Sequence, residues 1–207
     1  MSDSIPSALE YLVVATNNNG KRAEFQQLLG SLFHVHTMAD LALPSPPETG
    51  NSFVENAMLK ARHAAEASGF VALGDDSGLE VAALNGEPGV RSARYAGEPP
   101  DDRKNRALLL HRMTGVPRTQ RQARFVCSLA IATPAGIIEV VESTLDGHIA
   151  EAERGTGGFG YDSVFELADG PTLAELTTEQ KSAVSHRGRA MRLALPLIQN
   201  LMRTGRM

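Results

Sequence analysis

The chain has 207 residues, of which 42% are hydrophobic and 21% are charged. This composition predicts a packed core in one large domain or two small lobes, and it excludes a globally disordered protein. The formal net charge of −4 and the pI near 5.9 argue against a nucleic-acid-binding protein, because such proteins are usually basic.

Targeting and redox signals are few. Cys127 is the only cysteine, so an internal disulfide and a cysteine-cluster zinc site are excluded, and we expect its thiol to fill core volume. The first ten residues resemble no signal peptide, and no run approaches about 18 consecutive apolar residues. We therefore expect a cytoplasmic protein with neither a membrane nor a nucleic-acid partner.

The first part of the chain alternates apolar runs with loops. Residues 1–10 are expected to form a flexible tail, and residues 11–207 a single α/β domain with two lobes. The apolar run Tyr11–Ala15 is typical of a buried strand, and the loop Thr16–Lys21 leads into a helix with apolar residues at helical spacing. A second strand is predicted over Val35–Met38.

The middle of the chain begins with a proline-rich loop, Leu43–Gly50, which ends regular structure. A capped helix follows and runs to about Ser68. Two short strands are predicted over residues 71–73 and 79–83, with the sequence Gly-Asp-Asp-Ser-Gly between them.

The rest of the chain continues the alternation of strands and helices. A helix capped by Asp101 or Asp102 is predicted to end near Met113. The other predicted elements are an antiparallel hairpin over 123–133 and 137–144, a strand over 163–166, a short helical turn from residue 177 or 178, and a terminal helix from Ser185 to about Met202. This order indicates a mixed α/β fold.

Gly74-Asp75-Asp76-Ser77-Gly78 is the most informative motif. Adjacent carboxylates repel each other unless a counter-ion is present, and Mg²⁺ takes carboxylate oxygens as ligands. The motif is therefore a candidate metal and general-base site. The alternative is a polar turn between two strands, because Asp, Ser and Gly all favour turns.

Three further segments carry candidate binding residues. A loop that enters a helix, as Thr16–Lys21 does, presents free backbone N–H groups to a phosphate, and Lys21 adds a charge; the alternative is a plain turn. The glycines of Gly157–Asp162 permit close approach of a ligand, and Phe159 offers a face for stacking on a base, or fills the core. The segment Lys181–Arg187 supplies further hydrogen-bond donors.

Six motifs in order resemble the inosine/xanthosine triphosphate pyrophosphatases, the house-cleaning enzymes for deaminated purine nucleotides. Each motif is weak alone, but together they span about Leu12 to Met191. They are Thr16–Lys21 after a strand, Glu48-Thr49-Gly50 before Phe53–Ala57, Asp75–Leu79, Ser92-Ala93-Arg94-Tyr95, Gly158–Asp162 and Ser185-His186-Arg187.

The resemblance implies an elongated mixed β-sheet with flanking helices, forming two lobes around a central nucleotide cleft, and a homodimer. It implies Mg²⁺-dependent hydrolysis of dITP, ITP and XTP to the nucleoside monophosphate and pyrophosphate. Two other readings remain open from the residues. One is a nucleotide-binding regulator without hydrolysis, and the other is a related pyrophosphatase for dTTP or UTP, as in the Maf-like proteins.

The resemblance also assigns roles to individual residues. Asp76 matches the proton acceptor and, with Glu48, the metal ligands, and Ser77 matches a substrate contact. The implied triphosphate site is Thr16, Asn17, Asn18, Asn19, Gly20 and Lys21. The implied base, sugar and further phosphate contacts are Phe159, Gly160, Tyr161, Asp162, Lys181, His186 and Arg187.

Two points of chemistry follow from the residue types. A donor that reads the 6-oxo group of hypoxanthine would leave buried groups unpaired against adenine, and Arg187 is the candidate for it. Asp75 has three open roles, which are a carboxylate behind the metal ligands, a second metal ligand, or a charge that raises the pKa of Asp76.

Overall fold

The computed structural model describes residues 10–46, 48–168 and 170–204. The strands are β1 (Glu10–Ala15), β2 (Phe33–Thr37), β3 (Ala72–Val81), β4 (Gln122–Ala132), β5 (Ile138–Ile149) and β6 (Phe165–Glu166). The α-helices are α1 (Asn19–Leu29), α2 (Phe53–Ser68), α3 (Asp102–Arg112), α4 (Thr178–Val184) and α5 (His186–Thr204). Within these residues no helix is long and apolar enough to cross a membrane.

The strands form one mixed sheet in the order β2-β1-β3-β4-β5-β6. β1 lies parallel to β2 and β3, and each later neighbour is antiparallel. The predicted hairpin is confirmed as β4 and β5, although β5 runs five residues beyond the predicted end, to Ile149. The predicted strand over 163–166 is shorter than expected, because residues 162–164 form a 3-10 turn before β6.

The core divides according to the faces of the sheet. Leu12 and Val14 of β1 pack in a cluster with residues of α1 and α5, whereas Val13 and Ala15 pack with the alanines of α2. Successive strand residues point to opposite faces, which explains this division. A third cluster, containing Leu79, Phe125 and Leu145 among others, fills the other end of the long strands.

Helix ends match their sequence signals. Asn18 caps α1 by accepting from the Lys21 N–H at 3.0 Å, and Ser52 caps α2 through the Glu55 N–H at 3.2 Å. Asp101 caps α3 through the Lys104 N–H at 3.0 Å. The Ser185 hydroxyl accepts from the Gly188 N–H at 3.1 Å at the start of α5.

One predicted break in the sheet is wrong. Asp75 and Asp76 lie inside the single ten-residue strand β3, where Asp75 is opposite Leu129 and Asp76 is opposite Ser128. A polar turn is therefore excluded. The predicted tail over residues 1–10 lies outside the described residues except for Glu10, which is the first residue of β1.

Cys127 fills core volume, as predicted. Its side chain is fully buried beside Leu73 and Leu129, and burial raises the pKa of its thiol to about 12. The thiol therefore stays protonated at neutral pH and takes no part in the chemistry described below.

Candidate active site

A cavity of about 400 Å³ opens beside the middle of β3. Its wall joins residues that are far apart in sequence, from the loop before α1 to the start of α5. All the residues predicted to form the site line this cavity except Asn19 and Gly20. Asn19 and Gly20 are instead the first two residues of α1.

Asp76 and Glu48 meet at the ammonium group of Lys60. The Lys60 Nζ lies 2.7 Å from Asp76 Oδ1 and 2.6 Å from Glu48 Oε1. Asn56, one turn before Lys60 on α2, donates to Asp76 Oδ2 at 3.2 Å. Arg94 donates to Glu48 Oε2 at 3.0 Å. Both carboxylates are therefore held by donors on each oxygen.

Asp75 lies on the opposite face of β3 and does not line the cavity. Its carboxylate accepts from Lys21 Nζ at 2.8 Å and from Arg187 Nε at 2.5 Å, and its side chain is fully buried. The Ser77 hydroxyl also donates to it at 2.5 Å. Asp75 thus fixes Lys21 and Arg187, two residues that do line the cavity.

The two adjacent aspartates differ in charge behaviour. Burial alone would raise the pKa of Asp75, but Arg187 and Lys21 hold it well below its usual value of 3.8. Burial raises the pKa of Asp76 above that value, although Lys60 and Lys21 oppose the shift. Asp75 is therefore an anion at neutral pH with fixed partners, whereas Asp76 has the more basic carboxylate, as a proton acceptor requires.

The first turn of α1 and the glycine-rich loop over residues 157–162 pack against each other. A Cβ atom on Gly20 would lie 2.4 Å from the ring of Phe159, so only glycine allows this contact. The Phe159 ring also lies 4.7 Å from the Lys181 Nζ, measured to the ring centroid. The aromatic face is therefore fixed within the cavity wall, next to a cation.

Asp162 and Glu24 hold the cations at the far end of the cavity. Asp162 Oδ2 accepts from Lys181 Nζ at 2.5 Å and from the Phe159 N–H at 2.8 Å. Glu24 Oε1 lies 2.6 Å from Lys181 Nζ, and Glu24 Oε2 accepts from Arg187 at 2.5 Å. Lys181 and Arg187, which come from α4 and α5, are thereby tied to α1.

His186 is buried with a free ring nitrogen. Its imidazole stacks on the Phe125 ring at 4.6 Å between centroids, and its Nδ1 has no hydrogen-bond partner among the described residues. Burial, with the nearby charge of Arg187, lowers the pKa of His186 well below 6.5, so the ring is neutral. A buried polar atom without a partner in a cavity wall is a candidate ligand contact.

Several residues that hold the predicted site residues were not predicted from the sequence. Those around the charged groups are Glu24, Asn56, Lys60 and Arg94, each of which bonds to a predicted site residue. Asn56 and Lys60 are spaced four apart on α2, so they share one helix face. Arg94 lies within a motif that contributed to the family resemblance, but no local signal gave its partner.

The chemistry of the donor set fits a hard divalent cation. Within the described residues no three His, Cys, Asp or Glu side chains converge on a metal position. However, oxygens of Glu48, Asp76 and the Asp75 carbonyl surround one cationic nitrogen, that of Lys60, at 2.6, 2.7 and 3.3 Å. Mg²⁺ is typically held by one or two carboxylates together with substrate phosphates. Glu48 and Asp76 are the residues that would hold it.

Comparison with known proteins gives consistent matches over most of the chain. The model of the Ham1 family matches residues 12–197. The dITP/XTP pyrophosphatase of Geobacillus kaustophilus is 50% identical, with 88% of this chain and 91% of that protein covered. The Escherichia coli (strain K12) dITP/XTP pyrophosphatase is 46% identical, with 93% and 100% covered. The solved structure of a HAM1 protein from Coxiella burnetii has a TM-score of 0.82 and 38% identity, with 93% and 100% covered.

Proposed function

The chain belongs to the Ham1 family, and we propose that it is a nucleoside triphosphate pyrophosphatase that hydrolyses dITP, ITP and XTP. The products are the nucleoside monophosphate and pyrophosphate, so that deaminated purines are kept out of DNA and RNA. The observation that carries this proposal is Asp76, a carboxylate of raised pKa in a cavity lined by Lys21, Lys60 and Lys181.

Binding of the triphosphate is assigned to the amino-terminal end of α1. Asn18 caps this helix, and its first N–H groups and helix dipole favour an anion. Lys21, held by Asp75 at 2.8 Å, adds a fixed positive charge. Lys21 and Lys181 can stabilise the charge that develops on the leaving pyrophosphate.

Asp76 accepts a proton from the attacking water. Its raised pKa makes it a better base than an ordinary aspartate, and Asn56 orients it through Oδ2. We propose Mg²⁺ as the cofactor, held by Glu48 and Asp76. When bound, the ion neutralises phosphate charge and lowers the pKa of water.

Recognition of the base is assigned to the other end of the cavity. Phe159 offers a face for stacking, and neutral His186 presents an Nδ1 without a partner. Arg187 donates to Asp75, Glu24 and Ser77, which fixes its guanidinium in the cavity wall. A donor held rigidly in this way can bond to a 6-oxo group, which is an acceptor. The 6-amino group of adenine is itself a donor and would leave the guanidinium group unpaired.

A substrate panel tests the function. Purified protein with Mg²⁺ is assayed for turnover of dITP, XTP, dATP, dTTP and UTP, with pyrophosphate and phosphate measured separately. We expect pyrophosphate from dITP and XTP and little product from the others. Faster turnover of dTTP or UTP would show a different pyrophosphatase, and binding of dITP without hydrolysis would show a regulator.

We also propose a homodimer that acts in the cytoplasm, in line with the family resemblance. The monomer mass is 22.1 kDa, so light scattering on the eluting peak distinguishes monomer from dimer. A mass that stays at the monomer value at all protein concentrations tested would exclude the dimer.

A further inference from the structure

Two side chains from the amino-terminal half of α3 bond to the glycine-rich loop at Gly160. Asp102 Oδ2 accepts the Gly160 N–H at 2.8 Å, and Arg106 donates to the Gly160 carbonyl at 2.9 Å. Asp102 and Arg106 are four residues apart on α3, so they project from the same face of the helix. Two side chains thus hold the two peptide groups that flank one glycine.

Arg106 also connects α3 to the two ends of this loop. Arg106 Nε donates to Glu153 Oε2 at 2.8 Å, and that oxygen also accepts from the Ser163 hydroxyl at 2.9 Å. Residues 153 and 163 lie before and after the glycine-rich stretch. α3 therefore connects to the loop at its tip and at both of its ends.

Gly160 differs from its neighbours in the loop because it contributes no side-chain contact. Its φ is +59°, a conformation that glycine adopts freely, and a Cβ there would meet open space. Gly160 has no side chain to pack, so its backbone is held through its two peptide groups, whereas its neighbours are also held by their side chains. Phe159 lies against Gly20, and the Tyr161 hydroxyl donates to the Ser92 carbonyl at 2.8 Å.

We propose that Asp102 and Arg106 are positioning residues for purine recognition. By fixing both peptide groups of Gly160, they hold Phe159 at the angle at which it stacks on the base. This inference rests on the proposed function, since it assigns the base to Phe159. Both residues bond to the loop that carries Phe159 and not to the α1 phosphate site, so we expect them to contribute to base affinity and not to the chemical step.

Substitutions of Asp102 distinguish support of base binding from a general role in folding. Asp102→Ala removes the acceptor, whereas Asp102→Asn retains an acceptor oxygen of the same reach. Asp101→Ala is the matched control, because it removes a neighbouring carboxylate and the cap of α3 but no bond to Gly160. Arg106→Met removes the bond to the Gly160 carbonyl and tests whether that bond also supports base binding.

The readout is affinity for two ligands, measured by calorimetry on variants with native circular dichroism. We expect Asp102→Ala and Arg106→Met to weaken binding of dIMP about tenfold, because the loop must then be ordered when the base binds. Binding of tripolyphosphate, which has no base, should change less than about twofold, because the α1 phosphate site is untouched. Asp102→Asn and Asp101→Ala should keep most of the dIMP affinity.

Three results would overturn the inference. Unchanged dIMP affinity in Asp102→Ala would show that the bond to Gly160 does not support base binding. Equal loss of tripolyphosphate and dIMP affinity would show a general distortion. If Asp101→Ala lost as much dIMP affinity as Asp102→Ala, fraying of α3 would be the cause. Because no hydrolysis is needed, the test stands even if dITP yields no pyrophosphate, a result that would count against the proposed function alone.

Discussion

The adjacent carboxylates of Asp75 and Asp76 have different partners because they lie in a strand. Successive side chains of a strand point to opposite faces, so the Asp76 carboxylate meets α2 and the Asp75 carboxylate meets α1 and α5. Of the three roles considered for Asp75, a carboxylate behind the site agrees best with these contacts. Its partners are Lys21 and Arg187, and both belong to the cavity wall.

This difference predicts opposite phenotypes for two amide substitutions. Asp76→Asn should abolish pyrophosphate release but change the free energy of unfolding by less than about 1 kcal/mol, because burial already disfavours its charge. Asp75→Asn should lower the free energy of unfolding by about 3 kcal/mol, because Arg187 loses a buried counter-charge. Urea denaturation and the pyrophosphate assay measure the two effects. Near-normal turnover in Asp76→Asn would show that it is not the base.

The depressed pKa of Asp75 also predicts a pH dependence of stability. Its stabilising contribution is complete above the unfolded value of 3.8 and is lost as the pH falls toward the folded pKa. Below pH 3.8 the wild type should therefore lose stability more steeply than Asp75→Asn, by up to about 1.4 kcal/mol per pH unit. Urea denaturation from pH 3 to 7 measures this. If the free energy of unfolding fell equally with pH in the wild type and in Asp75→Asn, the result would contradict the lowered pKa of Asp75.

We expect Lys60 to compete with a metal ion for the oxygens of Glu48 and Asp76. In the absence of nucleotide, Lys60→Met should strengthen Mn²⁺ binding about tenfold or more, because Glu48 and Asp76 lose their shared counter-charge. Electron paramagnetic resonance of free Mn²⁺ measures the affinity without any turnover. Lys104→Met, which removes an exposed lysine paired with Asp101, is the charge-matched control. Weaker binding in Lys60→Met would place the ion elsewhere.

At the scale of elements, the glycines of β3 explain why the sequence predicts two short strands where the structure has one. Gly74 and Gly78 flank the aspartates and resemble turn residues, but neither is in a turn. A Cβ on Gly74 would lie 2.2 Å from the Ala57 carbonyl oxygen, and one on Gly78 would lie 2.5 Å from the Ser92 hydroxyl. These glycines serve close packing on the strand, which a local pattern cannot distinguish from a turn.

Close packing at Gly74 is open to a direct test. Gly74→Ala should lower the melting temperature by at least about 5 °C, because α2 must move away from the strand. It should also reduce turnover, because Asn56 and Lys60 move with the helix. The contacts at 2.2 and 2.6 Å are to α2 backbone atoms, so adding Ala61→Gly should not restore stability. Restoration by that second change would show that side-chain crowding is the cause.

Local sequence signals predicted most elements, since strands, helices and caps depend on nearby residues. Ser52, Asp101 and Asn18 cap helices as residues of their type usually do. The contacts that complete the site were not predictable in this way. Glu24 bonds to Arg187 across 163 positions of sequence, and Arg94 bonds to Glu48 across 46. Only the fold determines such pairs.

At the scale of the whole molecule, the cavity is where separate parts of the core are joined. Its wall includes Ala15 from the cluster under α2 and Phe125 from the cluster at the far end of the strands. Lys181 and Arg187, from α4 and α5, are held by Glu24 of α1. A ligand in the cavity therefore touches elements from both clusters, and it should stabilise the fold as one unit.

This arrangement predicts thermal stabilisation by the reaction product. At a concentration of about 100 times its dissociation constant, dIMP should stabilise the protein by about 2.7 kcal/mol. For a chain of this length, that corresponds to a rise in melting temperature of about 5–10 °C. Scanning calorimetry measures the shift, with dAMP at the same concentration as the control. Because a fixed donor meets the 6-amino group of adenine unfavourably, dAMP should produce a much smaller rise, and equal shifts would contradict recognition of the 6-oxo group.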